Sequence, residues 1–332
     1  MQNNSKISIL GDGGWGTTLS LLLAKKGFQI TLWSAFADYA EQIKKDRENK
    51  KFLPGVSIPS EVTITSDLKE AVEGAEVLVI AIPSQFLRDT IKGLKGLSLD
   101  EKIVVSVVKG IEHTALKRPS EVIREELGEL KLAVLSGPTI AKEIAGGLPA
   151  SCVVASDDEP VAKSVQEIFM SERFRVYTSA DVAGVELGGA LKNIIAIAAG
   201  ISDGLNLGTN AKAGLFTRGL VEIKKLGIAL GADAETFNGL SGIGDLVTTC
   251  ISPLSRNRRV GEEIAKGKTL DEIIGSTDMI AEGVETARSV HQIAGQMHVD
   301  MPITEQVYKV LFENKNAHTA VGDLMARSKK SE

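Results

Sequence analysis

The chain has 332 residues, 43% of them apolar and 24% charged, which allows two domains and a sizeable core and excludes a disordered polypeptide. Its net charge of −5, from 38 basic and 43 acidic side chains, argues against nucleic acid as a partner while leaving room for a local basic pocket. Two distant cysteines, Cys152 and Cys250, fit no metal or redox spacing and read as inert thiols of a reducing cytoplasm.

In chain order, the first half alternates short apolar runs with helical patterns. Strands are expected at 6–10, 29–33, 62–65, 77–81, 103–107, 132–135, 151–155 and 174–177. Helices are expected between them at 15–26, 37–48, 84–94, 119–127, 140–145 and 159–170. This cadence implies βαβ units and a doubly wound, mainly parallel α/β sheet. Strand signals stop near 179–181, and helical patterns follow at 182–201, 213–230, 235–240, 258–266, 270–274, 286–294 and 302–313. The expected division is 1–180 for the sheet domain and 181–332 for an all-α domain. Residues 1–10 show no secretory signal. The longest strongly apolar stretch, 194–201, is too short to cross a bilayer. The polar residues 327–332 are expected to fray.

Glycine is enriched, at 33 residues against a usual ~7%. One cluster, Gly11-Asp12-Gly13-Gly14-Trp15-Gly16, follows the first strand and opens the first helix. It fits G-x-G-x-x-G: a tight turn, close approach of a pyrophosphate, and close helix–strand packing. The helix start then offers free N–H groups to phosphates. A Rossmann-like domain binding NAD or NADP is therefore expected. After the second strand stands Ser34-Ala35-Phe36, with neither the carboxylate that favours NAD nor an arginine for a 2′-phosphate. Ser34 could donate a hydrogen bond there, and the choice between NAD and NADP stays open.

The four histidines lack catalytic-looking neighbours, and each reads as a surface or structural residue. Lys192 differs. On a helix its neighbours are Gly188, Gly189, Ile195 and Ala196, which do not resemble a solvated face. Burial there would lower its pKa and suit it to move a proton near neutrality, although a lysine reaching past its neighbours to solvent is the plainer alternative. Lys109-Gly110 follows a buried-type strand, and Ser136-Gly137-Pro138-Thr139 could form an anion-binding turn. Ser255-Arg256-Asn257-Arg258-Arg259 concentrates basic charge suited to a phosphate, or forms a solvated face. Asp245, after Gly242-Ile243-Gly244, could bind a substrate hydroxyl, orient Lys192, or serve as a helix N-cap. No metal-ligand cluster is seen.

These segments, with Phe52-Leu53-Pro54-Gly55, Pro83-Ser84-Gln85, Ala141-Lys142-Glu143, Glu186 to Asn193 and Ala281-Glu282-Gly283-Val284-Glu285-Thr286, resemble the NAD(P)-dependent glycerol-3-phosphate dehydrogenases of bacteria over nearly the whole chain. The resemblance implies that Lys192 is the proton donor and acceptor, and that Lys109 touches substrate and cofactor. It implies substrate contacts from Asp245, Ser255, Arg256 and Asn257, a substrate turn at Gly137 and Thr139, and further pocket groups at Asn193 and Thr249. Cofactor contacts are implied for Trp15, Ala141, Arg256 and Glu282. One departure is Ser34-Ala35-Phe36, where bacterial relatives often carry arginine or histidine.

The expected reaction is reversible hydride transfer between NAD(P)H and dihydroxyacetone phosphate, giving sn-glycerol 3-phosphate for glycerophospholipid synthesis. A β-hydroxyacid-type dehydrogenase of the same architecture and a non-catalytic cofactor sensor are the alternatives. The partner is thus a small phosphate substrate. The family suggests a homodimer, although no motif specifies one; the cysteine usage and the lack of a secretory signal point to the cytoplasm.

Overall fold

A computed structural model gives the fold, and residues 5–329 and 331 are described. The first half runs β1 (Lys6–Leu10), α1 (Gly14–Lys25), β2 (Gln29–Trp33), α2 (Ala37–Asp46), β3 (Thr63–Thr65), α3 (Leu68–Val72), β4 (Val77–Ile80), α4 (Ser84–Lys92), β5 (Ile103–Ser106), α5 (Pro119–Leu127), β6 (Lys131–Ser136), α6 (Ala141–Ala145), β7 (Ala150–Ala155), α7 (Glu159–Phe169) and β8 (Phe174–Ser179). The strands form one sheet in the order β3-β2-β1-β4-β5-β6-β7-β8. Every pairing is parallel except β6 with β7. The fully buried sequences of β4 (VLVI) and β5 (IVVS) follow from helices covering both faces.

The order reverses between β1 and β4. Ligands of open parallel sheets bind at such a switch point, outside the carboxyl ends of the strands. Gly11 leaves β1 there with φ +117°, and a Cβ on it would lie 2.6 Å from the Ala81 carbonyl oxygen. Only glycine fits this close crossing of the chains.

The second half is helical: α8 (Val182–Gly204), α9 (Gly208–Ala229), a 3₁₀ turn at Ala234–Asn238, a π turn at Leu240–Gly244, α10 (Asp245–Ile251), α11 (Arg256–Ala265), α12 (Leu270–Gly275), α13 (Glu282–Gln296), α14 (Pro302–Phe312) and α15 (Ala317–Met325). Helix α8 is the hub, packed by α9, α10, α11, α13 and α14. By length and composition α8 could cross a bilayer, unlike the eight-residue run singled out in the sequence. It is instead the core helix, with 89% of its most apolar window buried inside the protein.

Three helices were not expected: α3, α10 and α15. The pattern expected as a helix at 235–240 is the 3₁₀ turn, followed by the π turn in which Gly242 adopts non-helical angles. Helices α9, α11 and α13 start earlier than their apolar periodicity indicates. Both cysteines are buried and free, and burial pushes each thiol up to about 12. Of the expected frayed tail, residues 330 and 332 lie outside the described residues.

A buried carboxylate ties the halves together. Glu186, on α8, accepts from Ser120 N (2.8 Å), Ser120 Oγ (2.6 Å) and Arg118 Nη1 (2.8 Å) at the start of α5. It therefore fixes where α8 lies against the sheet domain. Burial raises its pKa, opposed by Arg118 and Ser120.

Candidate active site

The carboxyl ends of β5 and β6 deliver the loops that meet α8 and α10. Lys109 follows β5, and its ammonium donates to Gly137 O at 2.7 Å and Thr139 Oγ1 at 3.0 Å, both just past β6. It also pairs with Asp245 Oδ2 at 2.7 Å. The other oxygen of Asp245 lies 3.1 Å from Lys192 Nζ. Thr249, one turn along α10, accepts from Lys192 at 2.5 Å and donates to Asp245 Oδ1 at 3.2 Å. One carboxylate thus holds two lysines from different halves of the chain.

The local structure explains why these groups converge. The π turn ends at Gly244, so Asp245 opens α10 with its carboxylate turned to the lysines; it does not cap the helix. A Cβ on Gly188 would collide with the Ser241 carbonyl, and one on Gly189 with the Ser136 hydroxyl. The glycines preceding Lys192 therefore let α8 touch both the π turn and the end of β6. Lys192 is 5% exposed and Asp245 is 1% exposed. Burial lowers the Lys192 pKa to about 8; Asp245 opposes the shift and the Lys109 charge adds to it.

A second chain of contacts runs alongside. Gly283 N donates to Asn257 Oδ1 (2.9 Å), Asn257 Nδ2 to Asn193 Oδ1 (2.8 Å), and Asn193 Nδ2 to Lys109 O (3.0 Å). These two asparagines stand beside Lys109 but spend most of their amide capacity on the protein. Arg256 begins α11 after the Ser255 N-cap, whose Oγ accepts from Arg258 N. Among the described residues Arg256 has no hydrogen bond or ion pair. Its guanidinium is solvent-accessible yet walled by protein, and that crowding pulls its pKa below the ordinary value, against the pull of Glu282. Glu282 itself accepts from Ser84 N (2.9 Å) and Ser84 Oγ (2.5 Å), so it pins the start of α13 to the start of α4. Ser84 was recorded in the sequence only as part of a motif.

The glycine turn fits a dinucleotide. No side chain caps α1, so its first N–H groups are free for phosphates. A Cβ on Gly13 would meet nothing within 4 Å, whereas one on Gly14 would strike the Phe52 carbonyl and lie beside Ala141. The space above the turn is thus at Gly13, where a pyrophosphate would approach, and the expected contact Ala141 borders it. Trp15 stands at the turn with its indole N–H buried and unpartnered. A Cβ on Gly16 would strike the Gly11 carbonyl.

Ser34 follows β2 directly, as expected. It is fully buried, and its hydroxyl donates to Asp12 Oδ2 at 2.8 Å. Within the protein the partner of that hydroxyl is thus the Asp12 carboxylate. Asp12 and its supporting Asn49 were missed altogether. Among the described residues no group of three or more histidine, cysteine, aspartate or glutamate side chains could hold a metal.

The N-terminal profile of the NAD-dependent glycerol-3-phosphate dehydrogenases matches residues 6–162, and the C-terminal profile matches residues 181–322. The chain is 50% identical over 329 residues to glycerol-3-phosphate dehydrogenase (NAD(P)+) of Fusobacterium nucleatum, covering 98% of each. It is 51% identical over 327 residues to the enzyme of that name from a Thermoanaerobacter species, again covering 98% of each. The crystal structure of glycerol-3-phosphate dehydrogenase from Coxiella burnetii superposes with a TM-score of 0.95 at 38% identity, covering 98% of this chain and 100% of that one. By sequence over nearly its whole length and by fold, the chain belongs to the NAD-dependent glycerol-3-phosphate dehydrogenase family.

Proposed function

We propose that this chain reduces dihydroxyacetone phosphate to sn-glycerol 3-phosphate, reversibly, with Lys192 moving the proton. The observation that carries the reading is the buried Lys192–Asp245–Lys109 cluster at the carboxyl ends of the strands. The bound NAD(P)H supplies the hydride. Every other task falls to the protein.

Arg256, with no hydrogen bond or ion pair among the described residues, takes the substrate phosphate. It stands where the first N–H groups of α11 also precede any intrahelical bond. Binding energy from that remote group orients the carbonyl. Lys192, protonated below a pKa of about 8, holds its proton at the carbonyl oxygen and delivers it as charge develops there. Lys109 adds a second positive charge beside that oxygen, and Asp245 keeps both ammonium groups in place. Thr249 fixes the direction of Lys192. Gly137 and Thr139 hold Lys109, while Asn193 and Asn257 place its backbone. Water is kept out because α8, α10 and the β6 loop close around Lys192.

The same reading places the domain boundary near residue 180, where the strands end and α8 begins. It takes the chain to be a cytoplasmic homodimer whose product feeds glycerophospholipid synthesis; the two buried free thiols accord with a reducing compartment. The test is loss of absorbance at 340 nm with dihydroxyacetone phosphate, run in parallel with NADH and NADPH. Turnover supports the reading, and silence with both cofactors overturns it.

A further inference from the structure

NAD sites commonly carry a carboxylate at the end of the second strand, about 20 residues past the glycine loop, where it accepts from the adenosine ribose 2′-hydroxyl. Here Ser34 holds that place, directly after β2. A carboxylate is nevertheless present. Asp12 reaches it from the glycine loop, through the 2.8 Å bond that Ser34 Oγ donates to Asp12 Oδ2.

The surroundings hold Asp12 in place. Gly11 N donates to Trp33 O at 3.0 Å, which stitches the loop to the end of β2. Asn49 Nδ2 (2.6 Å) and Thr17 Oγ1 (3.2 Å) both donate to the Asp12 carbonyl. Among the described residues no other side chain donates to Oδ1 of Asp12. Residues 34 to 42 contain no lysine, arginine or histidine, and contain Asp38 and Glu41. The Lys51 charge acts on Asp12, favouring its ionised form. Its ammonium is paired with Asp278 at 3.2 Å and lies over the rings of Tyr39 and Phe52.

We propose that Asp12, held by Ser34, makes this chain select NADH over NADPH. This rests on the dehydrogenase reading and deepens it. A ribose 2′-hydroxyl can donate to Oδ1 of Asp12, the oxygen that Ser34 leaves to other donors. A 2′-phosphate carries only acceptors at neutral pH and needs a cation or several donors. Facing Asp12, it would meet a like charge in a site where nine-tenths of the aspartate is buried and water screens poorly. The selecting carboxylate has moved from the second strand to the glycine loop, which is why the sequence after β2 looks neutral.

The experiment titrates the protein with NADH and with NADPH in the absence of substrate, following nicotinamide fluorescence, with turnover measured beside it. NADH should bind at least about tenfold more tightly, since like charges brought together cost more than the ~1.4 kcal/mol of a tenfold ratio. Asp12→Ala should bring the two affinities within about threefold, chiefly by strengthening NADPH. Lys51→Met should leave the preference in place. Equal or tighter NADPH binding in the wild type overturns the proposal, as does a ratio unchanged in folded Asp12→Ala. If that variant does not fold, Ala35→Arg replaces it: the new exposed cation should raise NADPH affinity about tenfold, and no gain overturns the proposal. Selective NADH binding without turnover of dihydroxyacetone phosphate would overturn the dehydrogenase reading while supporting the cofactor preference; binding of neither nucleotide overturns both.

Discussion

Lys192 Nζ lies 3.1 Å from Asp245 Oδ1, with both side chains sealed from solvent, and the second oxygen of the same carboxylate holds Lys109 at 2.7 Å. A lone buried ammonium would lose its proton readily, and one carboxylate shared with a second cation only partly restores it. The result is a lysine that is mostly charged near neutrality and can still give its proton up.

The pH dependence follows from this pair. Reduction needs protonated Lys192, whose pKa lies at about 8. The kcat/KM for dihydroxyacetone phosphate should be flat below that pH and fall about tenfold per unit above it. Oxidation of glycerol 3-phosphate needs the neutral lysine and should rise through the same range. Asp245 favours the charged ammonium, so Asp245→Asn should move the limb to lower pH. A limb displaced upward would contradict the arrangement.

Arg256 should act chiefly through the phosphate. Arg256→Ala should reduce kcat/KM for dihydroxyacetone phosphate by about 10- to 100-fold, the worth of a charged hydrogen-bond pair at ~1.5–3 kcal/mol. Dihydroxyacetone, which lacks the phosphate, should be turned over equally by both proteins. Steady-state kinetics on the two ketones checks this, and an equal loss on both would remove Arg256 from the phosphate.

Glu222 makes a prediction about stability away from the site. This residue of α9 is buried and accepts from Ile303 N, Thr304 N and Thr304 Oγ1 at the start of α14. Burial raises its pKa from 4.5 to about 7, against the pull of those hydrogen bonds. The folded state therefore binds this proton more readily than the unfolded chain does. Its contribution is complete below about 4.5 and declines as pH rises to about 7, by at most about 3 kcal/mol. In Glu222→Gln that decline should vanish from denaturant titrations at pH 5 and pH 8; an unchanged slope would assign it to other groups.

How much of this the sequence disclosed depends on where each signal lies. Buried parallel strands are short apolar runs, so all eight strands are legible. Helix α10 hides behind Gly242 and Gly244, which read as loop although a helix begins directly after them. Helix α11 starts early because Ser255 caps it before any apolar residue repeats, and α13 starts early at Glu282, whose side chain is held by Ser84 of the other half. Lys192 is legible because small and apolar neighbours leave a charge nowhere obvious to go. The bond from Ser34 to Asp12 is not legible, since sequence position gives no direction for a hydroxyl. Asp12 is hidden as the unspecified residue of a glycine motif, and Glu186 looks like one acid on an apolar helix until α5 is packed against it.

The role of Lys192 is tested most directly by Lys192→Met, assayed at 340 nm with dihydroxyacetone phosphate beside a titration of reduced cofactor binding. The account predicts cofactor affinity within about twofold of wild type and turnover lowered by about 10²–10⁴, the usual worth of a positioned acid. Turnover within a few-fold of wild type would contradict it.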